Sequence, residues 1–246
     1  MKNPKLNTKE TITWCPGCPN HLILEAAKKA LSKFDQKSLA ITTDIGCNSK
    51  IYDYLNVSGI YGLHGRSLIT AIGIKLENPK LNVISFQGDG GAYDEGIAHF
   101  VHACRRNNNV TLLVHDNQSF SLTTGQPTAT TQQGYKSKAS PQGEKYKPLN
   151  PIKLALASNA TFVARANAMD IQGTAEIIEK AIRHQGFSFV EIMQKCLIFN
   201  KDMNDLDKLI YKTKDNKDKK KAEQLADEFD YNNKKGKIPV GVIYQS

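Results

Sequence analysis

Asp89 lies between two glycines, and Asn117 follows an aspartate at the end of an apolar run. A carboxylate and an amide carbonyl are hard oxygen donors suited to Mg²⁺, which usually completes its shell with substrate phosphate oxygens and water. Glycines on either side of Asp89 let backbone N–H groups approach an anion at the start of a following helix. A diphosphate bridged to the protein by Mg²⁺ fits this pair, although Gly-Asp-Gly alone is an ordinary tight turn. A second set of residues carries sulfur chemistry. Cys15 and Cys18 form a C-x-x-C pair, whose spacing aims two thiolates at one centre. Cys47 and Cys196 are distant and can join that pair only through the fold.

These side chains need strands that end together. Asn82–Gln87 is a short apolar run of buried-strand type, and Asp94–Arg106 carries Ile97, Phe100, Val101 and Cys104 on one helical face. Val110–Val114 is a second apolar run, ending in Asp116-Asn117. Such a strand–helix–strand crossover builds a parallel sheet, whose ligands sit beyond the carboxyl ends of the strands. Leu39–Thr43 reads as another strand, delivering Ile45-Gly46-Cys47-Asn48 at its end. Asn20–Phe34 reads as an amphipathic helix with Asn20 as N-cap, carrying the Cys15–Cys18 loop at its positive dipole end. Ser67–Leu76 reads as a helix behind the turn His64-Gly65-Arg66. Ala160–Arg165 and Phe187–Met193 read as strands, with a helix over Thr174–His184 between them. Gln132–Asn150 is polar and reads as a mobile loop; Ala222, Leu225, Ala226 and Phe229 suggest one more amphipathic helix. The expected fold is α/β, a mainly parallel sheet with helices on both faces. Residues 1–200 form the ligand-binding domain, and 201–246 a charged extension packing on that domain or on a partner subunit.

Composition narrows the function. The chain has 246 residues, 40% of them apolar, enough for a substantial core. No apolar run approaches the roughly 20 residues of a membrane span, and Met1–Thr11 lacks a signal peptide's apolar centre, so the expectation is a cytoplasmic protein that does not enter the membrane. A net charge of +9 suits an acidic partner. Nucleic acid is not expected, because the lysines are not interleaved with aromatics and no recognition helix is evident.

The five cysteines, without an export signal, argue against a disulfide framework. Trp14-Cys15-Pro16-Gly17-Cys18 superficially resembles a thioredoxin-type dithiol, but no apolar strand precedes it. Four thiolates also suit a structural zinc site or an iron–sulfur cluster. Cys104, on the apolar helix face, reads as an inert core thiol. His99, His102 and His115 read as solvation and packing positions rather than metal ligands.

Taken in order, Trp14-Cys15-Pro16-Gly17-Cys18, Asp44-Ile45-Gly46-Cys47, His64-Gly65-Arg66, Gly88-Asp89-Gly90, Asp116-Asn117, Leu122-Thr123-Thr124-Gly125-Gln126 and Ile238–Tyr244 resemble the β subunit of 2-oxoacid:ferredoxin oxidoreductases. The resemblance runs from Thr11 to Ile198 and returns at the last residues. It implies a thiamine diphosphate-binding fold and coenzyme A-dependent oxidative decarboxylation of a 2-oxoacid. It further implies a [4Fe–4S] cluster on Cys15, Cys18, Cys47 and Cys196, and Mg²⁺ on Asp89, Asn117 and the Ser119 carbonyl. Ile45, Gly46, Cys47, Asn48, His64, Gly65, Arg66 and Ser67 then line the thiamine site. Gly90, Gly91, Ser121 and Leu122 touch the diphosphate or the nearby ring, and His64 or Arg66 contacts a phosphate or substrate carboxylate. Implied partners are an α subunit supplying the glutamate that activates the cofactor, γ and δ companions, and an acidic ferredoxin. Gly91, Pro19, Asn48, Phe120-Ser121 and Pro127–Thr131 depart from the usual pattern, which leaves a non-catalytic, zinc-binding assembly subunit as the alternative.

Overall fold

The computed structural model describes residues 4–200 and 206–246. In chain order, α1 (Asn20–Leu31), β1 (Leu39–Thr43), α2 (Ile51–Tyr54), β2 (Gly59–Tyr61), α3 (Ser67–Glu77) and β3 (Asn82–Gly88) make up the first part. Next come α4 (Ile97–Arg106), β4 (Thr111–Asp116), α5 (Pro151–Ala157), β5 (Phe162–Asn167), α6 (Ile171–Arg183) and β6 (Ser188–Met193). The chain continues with β7 (Ile210–Lys212), α7 (Lys219–Asp227), β8 (Phe229–Asp230), β9 (Lys235–Gly236) and β10 (Ile238–Gln245).

Eight strands form one sheet in the order β2-β1-β3-β4-β6-β5-β10-β7, while β8 and β9 pair separately. Every pairing in the large sheet is parallel except β10 on β5. The central strands are covered on both faces, which is why they read as continuous apolar runs rather than as alternation. In β4, Leu113 faces one core, with α1 and α6, while Leu112 and Val114 face the other, with α3, α4, α5 and α7. Residues 201–205 of the expected extension lie outside the described residues; the rest of it contributes β7 and β10 to the sheet itself.

Two local expectations are corrected, and the expected loop is found. The helix expected over Asp94–Arg106 is two elements: a π-helical turn over Gly90–Glu95, then α4 after Gly96. Asn20 does not cap α1, since the residue at the cap is Pro19 and no side chain closes it; the Asn20 side chain turns inward instead. Gln132–Asn150 has no helix or strand, yet Gly134 and Glu144 bond across it, and the Tyr135 hydroxyl bonds the Phe199 carbonyl.

Candidate active site

Because β1, β3, β4 and β6 run parallel, their carboxyl ends share one edge of the sheet. Gly88 aligns with His115, and Asp116 with Met193. Asp89, Asn117 and Ser119 therefore line one cavity of about 450 Å³, together with Ile45–Asn48, His64, Gly90, Gly91, Ser121 and Leu122. The chain leaves β4 through Gln118, held at φ +56, its N–H bonded to Asp116 Oδ1 at 3.1 Å. A non-glycine residue in this region is uncommon and marks a specific turn; here it brings Asn117 and Ser119 to the same cavity.

Two threonines that sequence reasoning passed over hold the Asp89 carboxylate. Thr128 Oγ1 donates to Asp89 Oδ2 at 2.5 Å and Thr130 Oγ1 at 3.2 Å; neither takes Oδ1. Thr130 also lies 3.0 Å from Asp116 Oδ1. Burial pushes Asp89 up to about 7, partly opposed by the Thr128 hydrogen bond. Asp116 is raised well above the ordinary range, again by burial, with Asp89 adding repulsion. Such a concentration of buried carboxyl groups is stabilised by a cation. The helical turn starting at Gly90 opens on the same cavity, which Gly90 and Gly91 line; helix starts of this kind bind phosphate, and π-helical turns recur at functional sites.

Asp44 is a further residue that the spacing did not single out, although it opens the Asp44–Cys47 block. It is fully buried. Asn48 Nδ2 and Ser49 Oγ donate to its Oδ1 at 2.9 and 3.0 Å. Burial raises it to about 6. A Cβ on Gly91 would lie 1.9 Å from Asp44 Oδ2, and one on Gly90 would lie 2.2 Å from the Phe120 ring. Both glycines are thus required by what packs on them. His64 lines the cavity with Nδ1 at 3.2 Å from Glu95 Oε2 and 3.9 Å from Asp44 Oδ2. Its expected companions do not line the cavity. Gly65 packs against the Gly91–Gly96 turn, Arg66 donates to the Glu95 carbonyl at 2.8 Å, and Ser67 bonds Ser85 beneath α3.

Cys15, Cys18, Cys47 and Cys196 line an adjoining cavity of about 730 Å³. All four are free thiols. Burial pushes Cys47 up to about 11 and also raises Cys18, the neighbouring thiols adding to both shifts; thiolates here need a positive centre among them. Among the described residues no three His, Cys, Asp or Glu side chains converge on the position of a single metal ion. Cys47, Asn117, Ser121 and Leu122 belong to both cavities. Cys104 is apart, in the core of α4, where burial raises it to about 12.

Residues 44–192 match the family described as thiamine pyrophosphate enzyme, C-terminal TPP binding domain. The fold and the phosphate-type cavity thus define a thiamine pyrophosphate enzyme domain. The 2-oxoacid:ferredoxin oxidoreductase subunit beta of Saccharolobus solfataricus is 39% identical over 95% of this chain and 81% of its own. The 2-oxoglutarate synthase subunit KorB of Archaeoglobus fulgidus is 41% identical over 74% of this chain and 69% of its own. A solved structure, 2-oxoglutarate:ferredoxin oxidoreductase from Magnetococcus marinus with 2-oxoglutarate, coenzyme A and succinyl-CoA bound, superposes with a TM-score of 0.93. The match has 31% identity and covers 100% of this chain and 85% of that one. The chain belongs to the β-subunit family of the 2-oxoacid:ferredoxin oxidoreductases. Among its described residues, no helix is long and apolar enough to cross a membrane.

Proposed function

We propose that this chain works with an α subunit, and with γ and δ companions where present, in the coenzyme A-dependent oxidative decarboxylation of a 2-oxoacid, with ferredoxin as electron acceptor. The observation carrying this reading is the wall shared by the two cavities: Cys47, Asn117, Ser121 and Leu122 border both. A phosphate-type site thereby abuts a four-cysteine site, the arrangement that passing electrons from one to the other requires.

The residues fit the groups that the family implies. Asp89, Asn117 and the Ser119 carbonyl are an oxygen donor set for Mg²⁺, and the Gly90–Gly91 backbone is a cradle for diphosphate. Four free cysteines on one cavity wall suit a [4Fe–4S] cluster, whose ligands are four thiolates. When bound, thiamine diphosphate supplies an electron sink for decarboxylation, and the cluster supplies single-electron transfer. The chain's own residues do the rest. Thr128 and Thr130 fix the Asp89 carboxylate. Glu95 and Asp44 flank the His64 ring where it borders the cavity.

Anaerobic co-expression with the α subunit tests this. The expected result is about four irons and four sulfides per β chain, with 2-oxoacid- and coenzyme A-dependent reduction of ferredoxin. One zinc without sulfide, and no turnover, overturns it in favour of the non-catalytic assembly subunit.

A further inference from the structure

Asn20 and His115 join the two cavities through the protein interior. Asn20 is buried and lines the cysteine cavity; His115 is buried and lines the phosphate-type cavity. Their side chains meet at 2.8 Å, between Asn20 Oδ1 and His115 Nδ1. An amide oxygen only accepts, so His115 Nδ1 carries the proton and donates it. With Oδ1 turned to the ring, Asn20 Nδ2 is left buried without a hydrogen-bond partner. Unpaired buried donors are rare and mark a place where a partner is to be supplied. Asn20 and Cys18 line the same cavity, two residues apart in the chain, and the Asn20 backbone N–H and then its side chain favour the Cys18 thiolate.

We infer that Asn20 sets the reduction potential of the cluster, donating its side-chain N–H to the Cys18 sulfur from an orientation fixed by His115. Hydrogen bonds to ligand sulfurs tune iron–sulfur potentials, and second-shell partners orient and tune metal ligands. A donor facing the sulfur stabilises the more negative, reduced state, so its loss lowers the potential. Asn20 and His115 are positioning residues; neither is a ligand. The inference rests on the four-cysteine reading above.

The test uses the anaerobic holoenzyme. Iron and sulfide per chain are measured first, and the cluster is then titrated redox-potentiometrically by EPR. Asn20→Leu is expected to retain its iron and sulfide and shift the reduction equilibrium about tenfold toward the oxidised form, about 59 mV for one electron. His115→Leu shifts it in the same direction, and the double variant goes no further than Asn20→Leu. Wild-type enzyme carrying asparagine labelled with ¹⁵N only in the side-chain amide provides a readout that needs no variant. Its reduced cluster is expected to show a ¹⁵N hyperfine coupling. Iron-replete protein with no such coupling and an unmoved potential overturns this inference alone. Wild-type protein without iron or sulfide overturns the four-cysteine reading and this inference together.

Discussion

The Asp44 carboxylate fills the space that a side chain on residue 91 would need, since a Cβ on Gly91 would lie 1.9 Å from Asp44 Oδ2. The position beside Gly91 is thus taken by a buried carboxylate that approaches from the end of β1. Gly91→Ala is expected to destabilise the protein by about 1–3 kcal/mol, the usual range for overpacking. Adding Asp44→Ala should recover part of that loss, a non-additivity expected of groups in contact. Denaturant unfolding of the two single variants and the double variant measures it; strict additivity would contradict the packing described.

Thr128 and Thr130 anchor Asp89 through one carboxylate oxygen. Thr128→Val removes the shorter bond with little change of volume. Mg²⁺-dependent binding of thiamine diphosphate, followed calorimetrically, is expected to weaken about 10- to 100-fold, and Thr128→Ser should restore it. Wild-type affinity in Thr128→Val would remove the clamp from the account.

Burial raises Asp44 to about 6 and Asp89 to about 7 from an ordinary 3.8. Between those values the native state holds protons that the unfolded state has lost, so unfolding becomes easier as pH rises. The contribution is fully present below 3.8 and gone above about 7. Metal-free protein should thus show a falling melting temperature across this window. Mg²⁺ with thiamine diphosphate should flatten the fall, because a bound cation favours the ionised carboxylate. Thermal scans at stepped pH, with and without both ligands, provide the comparison.

Cys15→Ala and Cys196→Ala should each lower iron and sulfide content. Cys104→Ala, in the core of α4 and outside the cysteine cavity, should leave it unchanged. Equal losses in all three would point to general unfolding rather than ligand removal. Circular dichroism on the same preparations distinguishes the two.

Arg165 and Glu191 form a fully buried ion pair at 2.6 Å, and Tyr231 bonds both partners. Arg165→Met leaves a buried carboxylate without its cation, a change worth about 3–5 kcal/mol. Replacing both with apolar residues should be milder than Arg165→Met alone. Guanidinium unfolding of the two variants tests the order.

Much of the site was legible because parallel strands put successive loop residues on one edge. Asp89 and Asn117 could be paired from the apolar runs before them, and the cysteines through the order of the motifs. Asp44 was missed because no local pattern marks a carboxylate as buried; Asn48 and Ser49 bond it from the next turn, but its burial against Gly91 comes from the fold. Thr128 and Thr130 were missed for the same reason, as hydroxyls whose partner lies 39 and 41 residues earlier. The N-cap assigned to Asn20 failed where local preference met a tertiary partner: His115, 95 residues away, takes the side-chain oxygen. Arg66 was drawn to the cavity by its neighbours in sequence, whereas the geometry of the turn sends it to the Glu95 carbonyl. The final strand pairing was not readable from periodicity, because β10 lies antiparallel beside β5 although every other pairing in the large sheet is parallel.

That placement of β10 has a consequence for biosynthesis. The strand inserts between β5 and β7, so residues 238–245 must leave the ribosome before the outer edge of β5 is covered. During translation an apolar strand edge stays open to pairing with other chains. The nascent subunit is therefore most vulnerable to aggregation after β6 has emerged and before β10 arrives, and slow synthesis through the lysine-rich stretch between them would lengthen that exposure.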